Sequence, residues 1–190
     1  MIRLGIVDAI LALHPTAQFT TNNGKIEEWH SSEITQPTEE EIEVKLAELK
    51  YQEEVNVYQE KRKLEYPDWG DQLDKIYHDG VDAWKTDIKV IKDKYPKQTM
   101  DTEELKKRKD VAIFNLQKRD YEKAVARLEQ YELSAGVVDY ISGMTIIEPL
   151  PIYIDEVGRN PLIVQDEKER EAAQEVINKT PQAVIDSINT

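Results

Sequence analysis

The stretch TEEEIEVKLAELKYQEEVNVYQEKRKL (Thr38–Leu64) decides how the rest of the chain is read. Its apolar residues Ile42, Leu46, Leu49, Val57 and Leu64 recur at steps close to a heptad, with Glu53 interrupting the seam. Thr38 followed by Glu41 matches a capping box, Thr35 being a second possible cap, and the acids of the first turn suit the positive end of the helix dipole. The spacing predicts a helix from about Thr38 to Leu64. So thin an apolar stripe cannot bury a helix by itself, so this helix needs a partner helix.

Toward the C-terminus, Pro67 breaks that helix. Residues 69–78 read as a short helix carrying Trp69, Leu73, Ile76 and Tyr77 on one face, and Gly80 ends it. Val81, Trp84, Ile88 and Ile91 mark another, which stops before Pro96. Asp101 or Thr102 caps a second long helix reaching about Leu133, with Leu105, Ala112, Ile113, Leu116, Ala124, Leu128 and Tyr131 on its face. Folding it back on the first gives an antiparallel hairpin with two short helices at its tip. After Ser134-Ala135-Gly136 the character changes. Met144–Ile154 and Leu162–Val164 are β-branched runs interrupted by Pro149, Pro151 and Pro161, with a turn at Val157–Asn160. They read as an extended arm or edge hairpin, since proline does not sit in a central strand. A polar helix over 166–178 and a short last one opening at Thr180-Pro181 follow.

Toward the N-terminus, residues 4–14 read as a short buried helix through Ile6, Val7, Ile10, Leu11 and Leu13, closed by Pro15. Two β-like runs, Ala17–Thr21 and Lys25–His30, are joined by Asn22-Asn23-Gly24, a strong hairpin signal. Phe19, Ile26 and Trp29 are expected to pack on the first helix. The expected fold is mainly α with a small α+β N-terminal unit, a long antiparallel helical hairpin and a Pro-rich extended C-terminal arm. The segments are 1–36, 37–133 and 134–190.

Composition narrows the function. Apolar residues make up 39% and charged residues 33% of 190, against roughly 45–50% and 25% in an average domain. Such a balance suits helices with much surface per residue better than one closed core. Net charge is −13, with 9 acids and 4 bases in residues 1–50, 19 and 17 in 51–133, and 10 and 4 in 134–190. No basic patch stands out, so nucleic acid is not an expected partner. The one basic run, Lys106-Lys107-Arg108-Lys109, follows Glu103-Glu104 and reads as a solvated helix face with i,i+4 pairs. Cysteine is absent, which excludes disulfides, thiolate metal sites and cysteine nucleophiles and fits a reducing cytoplasm as the place of synthesis. The opening MIRLGIVDAILALHPT (Met1–Thr16) is too short to span a membrane and lacks a signal-peptide cleavage pattern.

Catalytic signals are weak. Asp74 and His78 stand i,i+4 on one helix, a spacing that could hold a metal only with further ligands, so a His–Asp hydrogen bond or ion pair is expected. His14, His30 and His78 fall in different segments, and no nucleophile-elbow, P-loop or dinucleotide motif is present. Glu40 and Glu41 have the residue types of an acid/base pair but read as a charged helix start. No enzyme activity, cofactor or metal is expected.

The most informative stretch is YPDWGDQLDKIYHDG (Tyr66–Gly80), continuing through Trp84 to KDKYPK (Lys92–Lys97). It resembles a recurrent module of small virion- and tail-fibre-associated proteins of tailed bacteriophages, notably those infecting marine cyanobacteria. The segment IEEWH (Ile26–His30) with TQPTEEEI (Thr35–Ile42) resembles the opening of phage tail-fibre assembly chaperone-like proteins. Together the two cover about residues 1–97. They imply a phage origin and say little about mechanism. The C-terminal half carries no such resemblance, and the length beyond that of a tail-assembly chaperone favours a virion component. The resemblance thus implies a non-enzymatic structural component of tail, baseplate or fibre attachment, located in the virion. Its partners would be other phage structural proteins, in a homo-oligomer or multi-copy assembly. A non-virion assembly chaperone and a regulatory protein binding a host factor through its acidic surface are the alternatives.

Two readings of the tip stand side by side. Trp69, Leu73, Ile76 and Tyr77 form the core of a helix-turn-helix tip with an acidic surface, or they form a docking surface, since aromatics make good anchors. On the second reading the partner-binding residues are Tyr66, Trp69, Leu73, Tyr77, His78 and Trp84 at the tip. Ile147, Leu150, Ile152 and Ile154 join them on the arm, where residues 143–165 could add a strand to a neighbour's sheet edge.

Overall fold

The computed structural model describes residues 4–130, 132, 137–139, 144–147, 149–154 and 158–189. Most of them are helical. Six helices, α1 (Ile6–Leu13), α2 (Glu39–Glu65), α3 (Trp69–Lys94), α4 (Thr102–Glu129), α5 (Pro161–Lys179) and α6 (Gln182–Ile188), run among three two-stranded antiparallel pairs. The strands are β1 (Phe19–Asn22) with β2 (Lys25–Trp29), β3 (Val137–Asp139) with β4 (Met144–Ile147), and β5 (Tyr153–Ile154) with β6 (Gly158–Arg159). The chain forms two compact units, Met1–Ile113 and Phe114–Thr190, divided inside α4.

The first unit begins with the expected αββ arrangement. Asn22 pairs with Lys25 across a two-residue turn in which Asn23 and Gly24 both take positive φ (49° and 74°), the mirror-image turn that matches strand twist. An extra residue bulges β2 opposite Thr20/Thr21. The hairpin lays Phe19 and Trp29 in a stack, 5.8 Å between centroids, and His14 meets Trp29 edge-on. Phe19, Ile26 and Trp29 close over Ala9, Ile10 and Ile42, the fully buried centre of this unit. Trp29 satisfies its indole N–H on the Ile34 carbonyl at 2.8 Å. α1 is less buried than its composition suggests: Val7 and Leu11 face solvent, because the hairpin and α2 cover one side only.

Thr38 caps α2 as expected. Its hydroxyl accepts from the Glu41 N–H, and the Glu41 carboxylate accepts from the Thr38 N–H at 2.7 Å. Along α2 the stripe differs from the expected one. Ile42, Tyr51 and Val55 are buried, Leu46, Leu49 and Val57 half-buried, and Leu64 is almost entirely exposed. The start of α4 explains the shift, since it lies against residues 47–54 and not against the C-terminal end of α2. Arg108 stacks its guanidinium over the Tyr51 ring at 4.4 Å, and the Asp101 N–H reaches the Tyr51 hydroxyl at 3.1 Å. Glu48 meets Lys109 and the later Glu54 meets the earlier Arg108, the order of an antiparallel pair, as the hairpin requires. Asp101 is the cap of α4, its carboxylate accepting from the Glu104 N–H.

Between α2 and α4 stands α3, broken at Gly80 (φ 83°, ψ 164°), a backbone conformation open in practice only to glycine. The two short helices expected at the tip are the halves of α3. Arg62 of α2 donates to the carbonyls of Tyr95 and Lys92, capping the far end of α3.

In the second unit, Leu116 and Ala124 of α4 are buried, and Leu128 is half-buried; Tyr131 lies outside the described residues. Ile163, Ala173 and Val184 are the other buried apolar residues described in this unit. The expected extended arm is here two short hairpins. Leu162–Val164 are not β but the first turn of α5, because Asn160 caps the Leu162 N–H and Pro161 takes the first helical position. The expected turn at Val157–Asn160 is likewise displaced: Gly158 and Arg159 are paired strand residues, and Asn160 is a buried cap that also donates to the Pro151 carbonyl. Residues 155–157 lie outside the described residues.

Candidate contact surface

Local sequence positions the first half of α3. Asp68 caps it, its carboxylate accepting from the Gly70 N–H at 2.6 Å. Gln72 donates back to the Pro67 carbonyl and accepts from the Trp84 indole at 3.1 Å, tying the two halves of α3 across the break. Lys75 completes the tie, its ammonium 2.8 Å from Asp79 and 3.3 Å from Asp87. That contact raises the Lys75 pKa, and the Lys75 hydrogen bond holds the Asp79 carboxyl below its usual value.

These ties face Gln72, Lys75 and Ile76 toward the second half of α3, where Ile88 is buried and Trp84 half-buried. The row beside Ile76 is left in water: Trp69 is 71% exposed, Leu73 51% and Tyr77 83%, and Val81 continues the exposure past the break. The expected aromatic core at the tip therefore does not form; of the four residues only Ile76 is half-buried. His78 is exposed and lies edge-on to Tyr77, 5.0 Å between centroids, in place of the expected pairing with Asp74. Tyr66 is half-buried at the end of α2.

On the arm, Ile152 and Ile154 are exposed and Leu150 is half-buried. Ile147 lies on β4 opposite Val137, its side chain outside the described part. Tyr153 and Leu162, which sequence reasoning passed over, are exposed beside them. A two-residue strand without a covering layer leaves both of its faces in water, so alternation gives no warning of Tyr153.

The charged groups are engaged elsewhere. Arg108 pairs with Glu54 at 2.8 Å and with Glu104 at 2.9 Å, and Lys109 with Glu48 at 2.9 Å. Arg108 and Lys109 of the basic run thus form an ion-paired flank of the hairpin, with pairs reaching across to α2 as well as along α4. The Lys109 hydrogen bond holds the Glu48 carboxyl below the ordinary glutamate range against the opposing effect of partial burial. The open groove here, about 450 Å³, is lined by both signs of charge. Among the described residues no group of three or more histidine and carboxylate side chains is placed to hold a metal, and no helix is long and apolar enough to cross a membrane.

Compared with protein-family models, curated proteins and solved structures, the chain matches none.

Proposed function

We propose that this chain is a non-enzymatic structural component of a tailed-phage virion, in tail, baseplate or fibre attachment, and that it works through protein–protein contact. The row Trp69, Leu73 and Tyr77, left in water on one helix face, carries the proposal. Large apolar side chains gain roughly 1.5–3 kcal/mol each when covered, and aromatics of this kind are the usual anchors of an interface. The module that contains them, Tyr66–Lys97, is the stretch that resembles virion- and fibre-associated proteins. Ile152, Tyr153 and Ile154 offer a second apolar surface on a short hairpin that pairs with no further strand among the described residues, the arrangement that suits strand addition.

An assembly chaperone would use the same face, and the resemblance of Ile26–Ile42 to such proteins favours that second reading. Mass spectrometry of purified particles separates the two. The chain present in stoichiometric amounts supports the structural role, and its absence from particles with intact fibres points to the chaperone. Trp69→Ala with Tyr77→Ala is expected to keep the fold and to remove the chain from particles; unchanged incorporation would count against this face.

A further inference from the structure

We infer that the exposed face of α3 takes a positively charged, apolar segment of a different protein, and not a second copy of this chain. This rests on the contact reading above and adds the chemistry of the partner. Residues 68–82 carry five carboxylates, Asp68, Asp71, Asp74, Asp79 and Asp82, against the single lysine Lys75. Lys75 is held between Asp79 and Asp87, Lys85 pairs with Asp82 at 3.4 Å, and the Asp68 carboxylate caps the helix. Among the described residues Asp71 and Asp74 have no ion-pair partner. Asp74 belongs to the helical row Gly70–Asp74–His78, directly beside the row Trp69–Leu73–Tyr77. An occupant therefore meets the rings and the Asp74 carboxylate together.

Lysine and arginine suit both at once. Their stems lie along apolar surface and their charged heads reach the carboxylates or a ring face. A second copy brings the opposite. A two-fold contact through this face sets Asp74 of each chain near that of the other, and like charges brought together at an interface are repelled. The area points the same way. Trp69, Leu73 and Tyr77 together expose roughly 400–500 Å², well under the roughly 800 Å² per partner of a stable interface. That suits one docked segment better than a self-sufficient dimer.

The test uses the full chain and two labelled peptides of roughly five helical turns, one of lysine and leucine at helical spacing and one with glutamate in place of lysine. Fluorescence anisotropy is expected to show the lysine peptide binding at least about tenfold tighter. D74N should weaken it about threefold and flatten its salt dependence, and E27Q with E33Q, exposed acids of the N-terminal hairpin and the segment after it, should leave it unchanged. W69A with Y77A should weaken it by more than about thirtyfold. Equal binding of the two peptides, or D74N behaving as the parent while W69A/Y77A loses binding, overturns the charge inference and leaves the contact face standing. W69A/Y77A binding like the parent overturns the contact face itself. Self-association in sedimentation equilibrium that Y77A abolishes identifies the second copy as occupant and also overturns the inference.

Discussion

Replacing Asp166 with asparagine is expected to loosen α5 and its anchorage on the end of α4. The Asp166 side chain is 7% exposed and sits between two guanidiniums, Arg127 at 2.5 Å and Arg170 at 3.2 Å, themselves 20% and 15% exposed. Asparagine keeps the shape but removes the charge, leaving two cations facing each other around a neutral amide. Removing one member of a buried pair costs about 3–5 kcal/mol. Part of that is recovered here, because Glu169 remains 3.1 Å from Arg127 and the carbonyls of Leu128 and Gln130 still accept from Arg170. The net loss is therefore about 2–3 kcal/mol, a fall of roughly 30- to 150-fold in amide protection. Hydrogen exchange of α5, read by mass spectrometry on parent and D166N, measures it directly. All three tryptophans, Trp29, Trp69 and Trp84, lie within residues 1–113, so their emission follows the other unit in the same samples. Protection of α5 within about threefold of the parent would refute the reasoning, because the cluster would then be a solvated arrangement of charges and not a lock.

Three further outcomes follow from residues 1–113. Thr38→Ala removes the hydroxyl half of the α2 capping box and should lower stability in urea unfolding by about 1 kcal/mol; no loss would mean that Glu41 alone holds the helix start. Gly80→Ala forces a Cβ into a conformation that only glycine adopts readily, at a cost of about 1–3 kcal/mol. The variant should relieve this by straightening α3, with loss of the Trp84–Gln72 hydrogen bond and a change in tryptophan emission; an unchanged spectrum and stability would contradict it. The third concerns pH. Glu48 has its pKa lowered, chiefly by Lys109, so its contribution is complete above the unfolded value of 4.5 and is lost as pH falls through the lower folded value. Glu65, lowered by Lys94, shifts in the same direction. Urea midpoints followed by tryptophan emission should hold steady between pH of about 7 and 5 and fall below about 4.5, less steeply in Lys109→Met. A midpoint that rises on acidification, or an identical slope in K109M, would contradict the assignment.

Local chemistry settled the boundaries of the elements. Thr38 and Glu41, Asn23-Gly24, Pro67 and Gly80 act through φ, ψ and hydrogen bonds within a few residues, and the sequence alone placed the start of α2, the first hairpin and the break in α3. Burial belongs to the tertiary structure, because an apolar row is covered only where another element arrives. Leu64 and the row Trp69, Leu73 and Tyr77 have the pattern of core residues and stay in water, while Tyr51, off the expected seam, is buried under Arg108. Asn160 and Pro161 turned a β-branched run into a helix start, a local signal overruled by the reading of Leu162–Val164 as strand. Asp166 and Arg170 stand i,i+4 on α5, a pairing legible in the sequence, but nothing in the order of residues announces that Arg127 joins them. Ion pairs depend on distance in space, and folding alone brings together charges some forty residues apart.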